Sequence, residues 1–314
     1  MKKTNPVQAE PYRHHYIPQF IIRNFASNEM GFWTVKYYDK KRKKFLNMPT
    51  EEVFMYNDLY RDEINSPQDP VKIERDFAKY EGEISKIIKD KFLKDSDIFL
   101  TPEEHDSLLL FLALMQFRSK NVLSQFGKNA KEEAKVFYSM YQSDGDLLSL
   151  WKRNLGYIVN CRSLQEVLDN PKVDDPFKAF MARDTFGLTG MYIIVAERRG
   201  NEDFFLSDAY PLTQNGEGDN GFSLPIMSFF PISPDRMIIT SYNGVQYARQ
   251  EVRTFDKSFF ARPYFDRTKN ALKIHVRKIY EKDVRSINDS IYFHVKEGVA
   301  VSDENRFFAK DRQN

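Results

Sequence analysis

One cysteine, Cys161, is all the thiol this 314-residue chain carries. That excludes an internal disulfide and any zinc site built on several cysteines, and it fits a reducing compartment, so the cytoplasm is the expected location. Long apolar runs are missing too. No segment approaches the roughly 18 to 20 apolar residues that cross a bilayer, and the polar stretch Met1 to Glu10 lacks the apolar core of a signal peptide, so no membrane association is predicted. Charge of one sign is scarce: Lys and Arg number 47 against 45 Asp and Glu, a net charge of +2. That is too mild for a dedicated nucleic-acid binder, although it leaves room for a local basic patch. Internal repeats and low-complexity tracts are absent. So are a His-Glu-x-x-His helix, a phosphate-cradling glycine loop, a dinucleotide fingerprint and a nucleophile elbow, so no motif implies a metal or a cofactor.

What the chain does have is rings. With 27 Phe and 17 Tyr, its core is built largely on aromatic packing. A hydrophobic fraction of 41% and a charged fraction of 29% are those of a folded globular protein. The length predicts one large core with two lobes. Residues 1–12 read as a flexible tail, 13–308 as a single two-lobed domain and 309–314 as a second tail. Within the domain, 13–187 is mainly helical and 188–308 is a sheet with a closing helix.

The pattern along the chain predicts an α+β fold. Pro18 suits a first helical turn, and Gln19 to Ala26 has helical spacing with Ile17, Phe20, Ile21 and Phe25 inward. Phe32 to Tyr38 and Phe45 to Met48 read as an N-terminal β-hairpin with a basic tip at Lys40 to Lys44. Pro70 to Leu93 places Ile73, Phe77, Tyr80, Ile84, Ile87 or Ile88 and Phe92 at steps of three and four, a long amphipathic helix. Thr101 and Glu104 form a capping box, and Leu108 to Phe117 is apolar at every position but Gln116, which predicts a central helix buried on all sides. Helix is expected over 128–141, then shorter helices to Asp184 broken by Pro171 and Pro176. After Gly187, the runs Met191 to Val195, Asp203 to Leu206, Ile226 to Phe230 and Met237 to Thr240 predict a small antiparallel sheet. Val284, Ile287, Ile291 and Val295 mark the C-terminal helix.

Polar residues within this apolar pattern mark the candidate site. His14 and His15 are adjacent, so they cannot easily point at one spot, and they lie just before a helix N-terminus, where an anion is favoured. Either imidazole could transfer a proton, and either could merely cap or pack. Gln19 and Arg23, four apart, share a ridge that could line a pocket, though an arginine there is usually just solvated. Gln116 and Arg118 end the apolar helix. A buried guanidinium keeps its proton and needs an anion, either a protein carboxylate in a structural salt bridge or a ligand. Asp208 closes a strand and is the candidate carboxylate to pair Arg118, orient a histidine or join His14 on a metal, against the plainer reading of turn chemistry. Asn288 sits on the apolar stripe of the last helix and must hydrogen bond, to backbone or within the polar site.

The run HHYIPQFIIRNFA, followed by MQFRS, SDAYP, FFPISP and SIND, resembles in order and spacing the domain-of-unknown-function family 4238, found largely in bacteria. The resemblance covers roughly residues 13 to 308. The family pattern falls on His14, His15, Tyr16, Pro18, Phe25, Gln116, Arg118, Asp208, Pro211, Pro231 and Asn288. It brings no established activity. Where family members often carry Thr-Pro after the central arginine, this chain has Ser119 and Lys120.

Two functions compete. In one, the protein cleaves a phosphodiester, nuclease-like, with His14 or His15 as acid or base, Asp208 orienting a histidine, and Gln19, Arg23, Gln116, Arg118 and Asn288 holding the substrate. In the other, it is a non-enzymatic sensor or interaction protein, as in a phage-defence module, whose polar cluster is structural or binds a small anionic ligand. The expected partners are accordingly nucleic acid or a small anion. Convergence of His14, Arg118 and Asp208 at an open cleft favours the first; separation or complete sealing favours the second.

Overall fold

Ten consecutive residues, Leu108 to Phe117, are buried on helix α3 (Pro102–Phe117). A helix with no polar face is stable only when surrounded, and other elements are arranged around it. The capping box that starts it forms as expected. The Thr101 hydroxyl accepts from Glu104 N–H at 3.2 Å, and the Glu104 carboxylate accepts from Thr101 N–H at 2.8 Å. The structure, a computed structural model, describes residues 13–120, 122–123, 147–181, 192–217, 223–241 and 262–307. The two expected tails and the expected helix 128–141 lie outside the described residues.

Short helix α1 (Gln19–Arg23) ends three residues before the expected Ala26, and the Asn24 amide beyond it donates to Ile232 O at 2.8 Å. Helix α2 (Lys72–Ile87) buries Ile73, Phe77, Tyr80 and Ile84 and runs on through a π-helical turn, Ile88–Phe92. Helices α4 (Leu147–Ile158) and α5 (Leu164–Asp169) and a helical segment at 175–181 account for the broken stretch foreseen after residue 147. No helix among the described residues is long and apolar enough to cross a membrane.

The fold is α+β, but its sheets are larger than expected. Seven strands form one sheet: β6 (Asp97–Leu100), β7 (Tyr192–Arg198), β9 (Leu212–Glu217), β10 (Ser223–Pro231), β11 (Arg236–Ser241), β12 (Tyr264–Asp266) and β13 (Ala271–Ile279). It is mixed rather than antiparallel, because β13 runs parallel to β7. His275 pairs with both Ile194 and Asp97, and Leu272 with both Phe265 and Leu100. So β6 takes one edge of β13 while β7 and β12 share the other. Strand β6 comes from the helical first part of the chain. It was not foreseen because it is four residues long and its partner lies far along the sequence, with no turn signal between them.

Strand alternation divides the core. Ile193, Val195, Phe230, Ile238 and Ile274 pack in the cluster that holds α3, whereas Ile194, Ala196, Phe229, Met237 and Ile239 pack on the other side. That second side is covered by helix α6 (Glu281–His294) and by a five-stranded sheet of β2 (Ser27–Glu29), β3 (Phe32–Asp39), β4 (Lys44–Pro49), β8 (Leu206–Ser207) and β14 (Gly298–Val301). The expected hairpin is β3–β4, in register from Thr34↔Pro49 to Asp39↔Lys44. The strand expected at Asp203 to Leu206 shrinks to β8 and belongs to this sheet. Where β14 meets β3, a Cβ on Gly298 would lie 2.3 Å from Tyr38 O, so the crossing requires glycine. A final pair, β1 (Arg13–His15) with β5 (Met55–Asn57), holds the opening segment.

Candidate functional site

Pairing of β1 with β5 makes the opening segment extended, so its successive side chains point to opposite sides. His14 is fully buried. Its Nδ1 accepts from Tyr60 N–H at 2.8 Å, and its ring stacks on that of Tyr60 at 5.6 Å. An accepting Nδ1 leaves the proton of the neutral ring on Nε2. His15 is held differently. The Gln19 amide nitrogen lies 2.6 Å from His15 Nε2 and 2.9 Å from Thr50 O. Its two hydrogens suffice for both acceptors when His15 Nε2 carries no proton. Burial pushes the His15 pKa down to about 4; a backbone contact with Thr50 opposes this and the Arg118 cation adds to it. The adjacent histidines therefore have separate partners, and Gln19 Oε1 is left buried without a donor among the described residues.

Arg118 caps the C-terminus of α3 and is fully buried. The helix thus ends here although Ser119 and Lys120 stand where the family often has Thr-Pro. Arg118 Nε donates to Tyr16 O at 3.0 Å. Nη1 lies 2.7 Å from Glu81 Oε1, and the Phe77 ring centroid lies 4.5 Å from the guanidinium. The anion that a buried arginine requires is therefore supplied by α2. Among the described residues, however, Nη2 has no acceptor, and the Tyr210 hydroxyl, buried in the same field of Arg118 and Glu81, has no partner either. Burial raises the Glu81 pKa against the pull of Arg118. Glu74, two helical turns earlier on α2, is pushed up to about 7 by burial and by the Glu81 charge. Its carboxyl makes no hydrogen bond to a described residue.

The remaining candidates divide. Gln116 donates to Ser228 Oγ at 3.2 Å, and Ser228 meets Thr213 Oγ1 at 3.0 Å, which ties the end of α3 to β10 and β9. Asp208 is buried, but it neither pairs Arg118 nor orients a histidine. Its carboxylate accepts from the backbone N–H of Lys296 and Glu297 and from Lys120 Nζ at 3.3 Å. The physical reason is local: the turn after β8 packs against the link from α6 to β14, whose amides need acceptors. Lys120 also pairs Glu297 at 2.6 Å. With burial, the Asp208 charge raises the pKa of Tyr16 and Tyr37, so this carboxylate lies beside the opening segment without touching its histidines. Asn288 donates to Asp203 O at 2.8 Å, pinning backbone in a network with Glu202 and Arg285. Arg23 is exposed, 5.9 Å from the Trp33 ring centroid, and does not share a pocket with Gln19.

His14, His15, Gln19, Gln116 and Arg118 thus gather at one end of α3, with Asp208 linked to them through Lys120 and Tyr16, while Arg23 and Asn288 lie elsewhere. Sequence reasoning missed Glu74 and Glu81. They stand seven apart at the margin of the apolar stripe of α2, so both flank the same ridge. That spacing was the available signal, but carboxylates beside an amphipathic stripe ordinarily read as solvated. No group of three or more His, Cys, Asp or Glu among the described residues could hold a metal ion.

The molecule is therefore an α+β protein with a buried arginine centre at the end of its central helix. A family model described as "Protein of unknown function (DUF4238)" matches residues 13–305, nearly the whole chain, and the protein belongs to that family, as its opening motif led us to expect. No curated protein and no solved structure matches it.

Proposed function

We propose that the end of α3 binds a small anionic ligand bearing a carboxylate or phosphate group, with Arg118 as its anchor. The observation that carries this reading is Nη2 of a fully buried guanidinium, which has no acceptor among the described residues while Nη1 faces Glu81. Each buried donor left unpaired costs about 1–3 kcal/mol. A planar pair of oxygens matches the arginine fork and restores that loss. The orphaned Tyr210 hydroxyl supplies one further donor or acceptor. Glu81 balances the arginine charge, so the site suits an anion of low charge. The test is thermal denaturation and titration calorimetry with inorganic phosphate and with acetate. At a ligand concentration about 100 times the dissociation constant, stabilisation reaches about 2.7 kcal/mol. Arg118→Lys, which keeps the charge and loses the fork, is expected to abolish it. No response of the wild type to either anion refutes the reading.

Glu74 favours a second reading, phosphodiester cleavage. A carboxyl pushed up to about 7 near an arginine is suited to proton transfer at neutral pH. The nuclease-like scheme that relied on His14 and Asp208 loses support, because His14 Nδ1 is occupied by Tyr60 and Asp208 by backbone amides. Incubation with RNA and with DNA, with and without chelator, compares wild type, Glu74→Gln and His14→Ala. Cleavage lost in Glu74→Gln supports catalysis through Glu74; no cleavage by the wild type leaves the binding function.

A further inference from the structure

The seven-stranded sheet carries a second feature, on the face turned away from α3. Over β7, β11 and β10 this face is apolar and lies under α6 and the five-stranded sheet. It continues sideways onto β13, β12 and β6 with different side chains. Paired residues on adjacent strands share a face. The register therefore sets Phe99, Lys273 and Tyr264 in one row across three strands, Asp97 and His275 in the next, and Arg277 beyond. The Nζ atoms of Lys269 and Lys273 lie 5.5 and 5.6 Å from the Phe99 ring centroid. Tyr264 is 47% exposed, with its ring 5.7 Å from that of His275. Arg262, exposed, sits 5.3 Å from the Tyr192 ring.

The charge of this face is positive. Among the described residues, Arg262, Lys269, Lys273 and Arg277 stand against two carboxylates. Asp97 is paired to Lys273 at 2.8 Å, and Asp266 is occupied by the Thr268 hydroxyl and amide. Besides burial, the Arg277 and Lys273 charges depress the His275 pKa, more than Asp97 restores. The excess on this face, two positive charges among the described residues, equals the net charge of +2 of the whole chain.

We propose that the β6–β13–β12 face binds single-stranded nucleic acid, with phosphates along Arg262, Lys269, Lys273 and Arg277 and bases stacked on Tyr264 and Phe99. Rings interleaved with cations at strand spacing suit this ligand, because every unpaired base offers a flat face between backbone charges. Duplex bases are already stacked, and an acidic peptide has no use for the rings. This face is separate from the Arg118 centre, so either proposal can fail alone.

The experiment is fluorescence anisotropy of the full chain with a labelled oligouridylate. Four phosphate contacts predict a slope of about −3 in log affinity against log salt, about 50-fold weaker binding at about 200 mM salt than at about 50 mM. Lys273→Gln should flatten that slope by about 0.7. Tyr264→Ala should weaken binding about tenfold, and Tyr264→Phe should restore it. Circular dichroism melts confirm that each variant folds; a variant that fails is replaced by Arg262→Gln, at an exposed site. The proposal is overturned if the oligonucleotide does not bind at low salt, if the variants bind as the wild type does, if a duplex of equal length binds as tightly, or if polyglutamate competes equally well.

Discussion

Replacing Glu81 by glutamine keeps the side-chain shape and removes the carboxylate in ion-pair contact with Arg118. The arginine cannot respond by losing its proton. It keeps the Tyr16 carbonyl and the Phe77 ring, 4.5 Å away, and a desolvated cation–π contact offers about 2 kcal/mol. Breaking a buried pair from one side ordinarily costs about 3–5 kcal/mol. The Glu81 side chain is 18% exposed, so water reaches its end of the pair and the expected loss is about 3 kcal/mol. Arg118→Met is expected to cost less, about 2 kcal/mol, chiefly the donor lost to Tyr16 O, because Glu81 can then take up a proton. The double variant should cost less than the sum of the singles. Urea unfolding at pH 7, followed by tryptophan fluorescence, measures all three. Trp151 lies 6.1 Å from Tyr60, between ring centroids, and so reports on this region. A loss below about 1 kcal/mol for Glu81→Gln, or one smaller than for Arg118→Met, refutes the picture of a desolvated guanidinium dependent on one carboxylate. Phosphate should rescue Glu81→Gln more than it stabilises the wild type, since it would supply the missing anion.

Other outcomes follow from the same geometry. His15 is held at about 4 against an ordinary 6.5, so between those values the unfolded chain binds the extra proton. Its contribution is complete above pH 6.5 and fades as pH falls to about 4, and His15→Asn should flatten that limb of the urea midpoint against pH. Glu74, raised to about 7 from 4.5, has the opposite sign. The folded chain binds more protons there, stability falls as pH rises through this window, and Glu74→Gln should remove the fall. Thr101→Ala, which deletes half the capping box of α3, should lower stability by about 1 kcal/mol, read as a drop in Tm. Gly298→Ala drives a methyl group into Tyr38 O; a loss of at least about 3 kcal/mol is expected, and an unchanged Tm would show that β14 does not cross β3 so closely.

The parts of the fold legible in the sequence were those whose signal is local. The steps of three and four from Ile73 to Phe92 gave α2. Thr101 with Glu104 and the all-apolar run behind them gave α3, and the aromatic strands around Lys40 to Lys44 gave the β3–β4 hairpin. Strands β6 and β14 were not foreseen, because each is defined by partners distant in sequence; β13 was missed too, although one of its partners, β12, is close by. The same distinction holds at the site. Arg118 declared its need for an anion by ending a helix with no polar face, but nothing in the sequence tied it to Glu81, an acid on the margin of another helix. Asp208 was the wrong partner to expect for Arg118 because its true acceptor role, toward the Lys296 and Glu297 amides, depends on a turn meeting a distant link. Gln19 and Arg23 show how short a ridge can be: four residues apart on α1, one turns to His15 and Thr50 and the other to Trp33.

The pairing of β13 with β6 and β7, and of β14 with β3 and β8, sets a condition on the order of synthesis. Residues 271–301 close both sheets, so until they emerge from the ribosome the earlier strands stand with open edges. Such edges invite pairing with other chains and capture by chaperones. A product cut short before Ala271 keeps them open for good. The late strands are therefore the ones that cover the edges of both sheets.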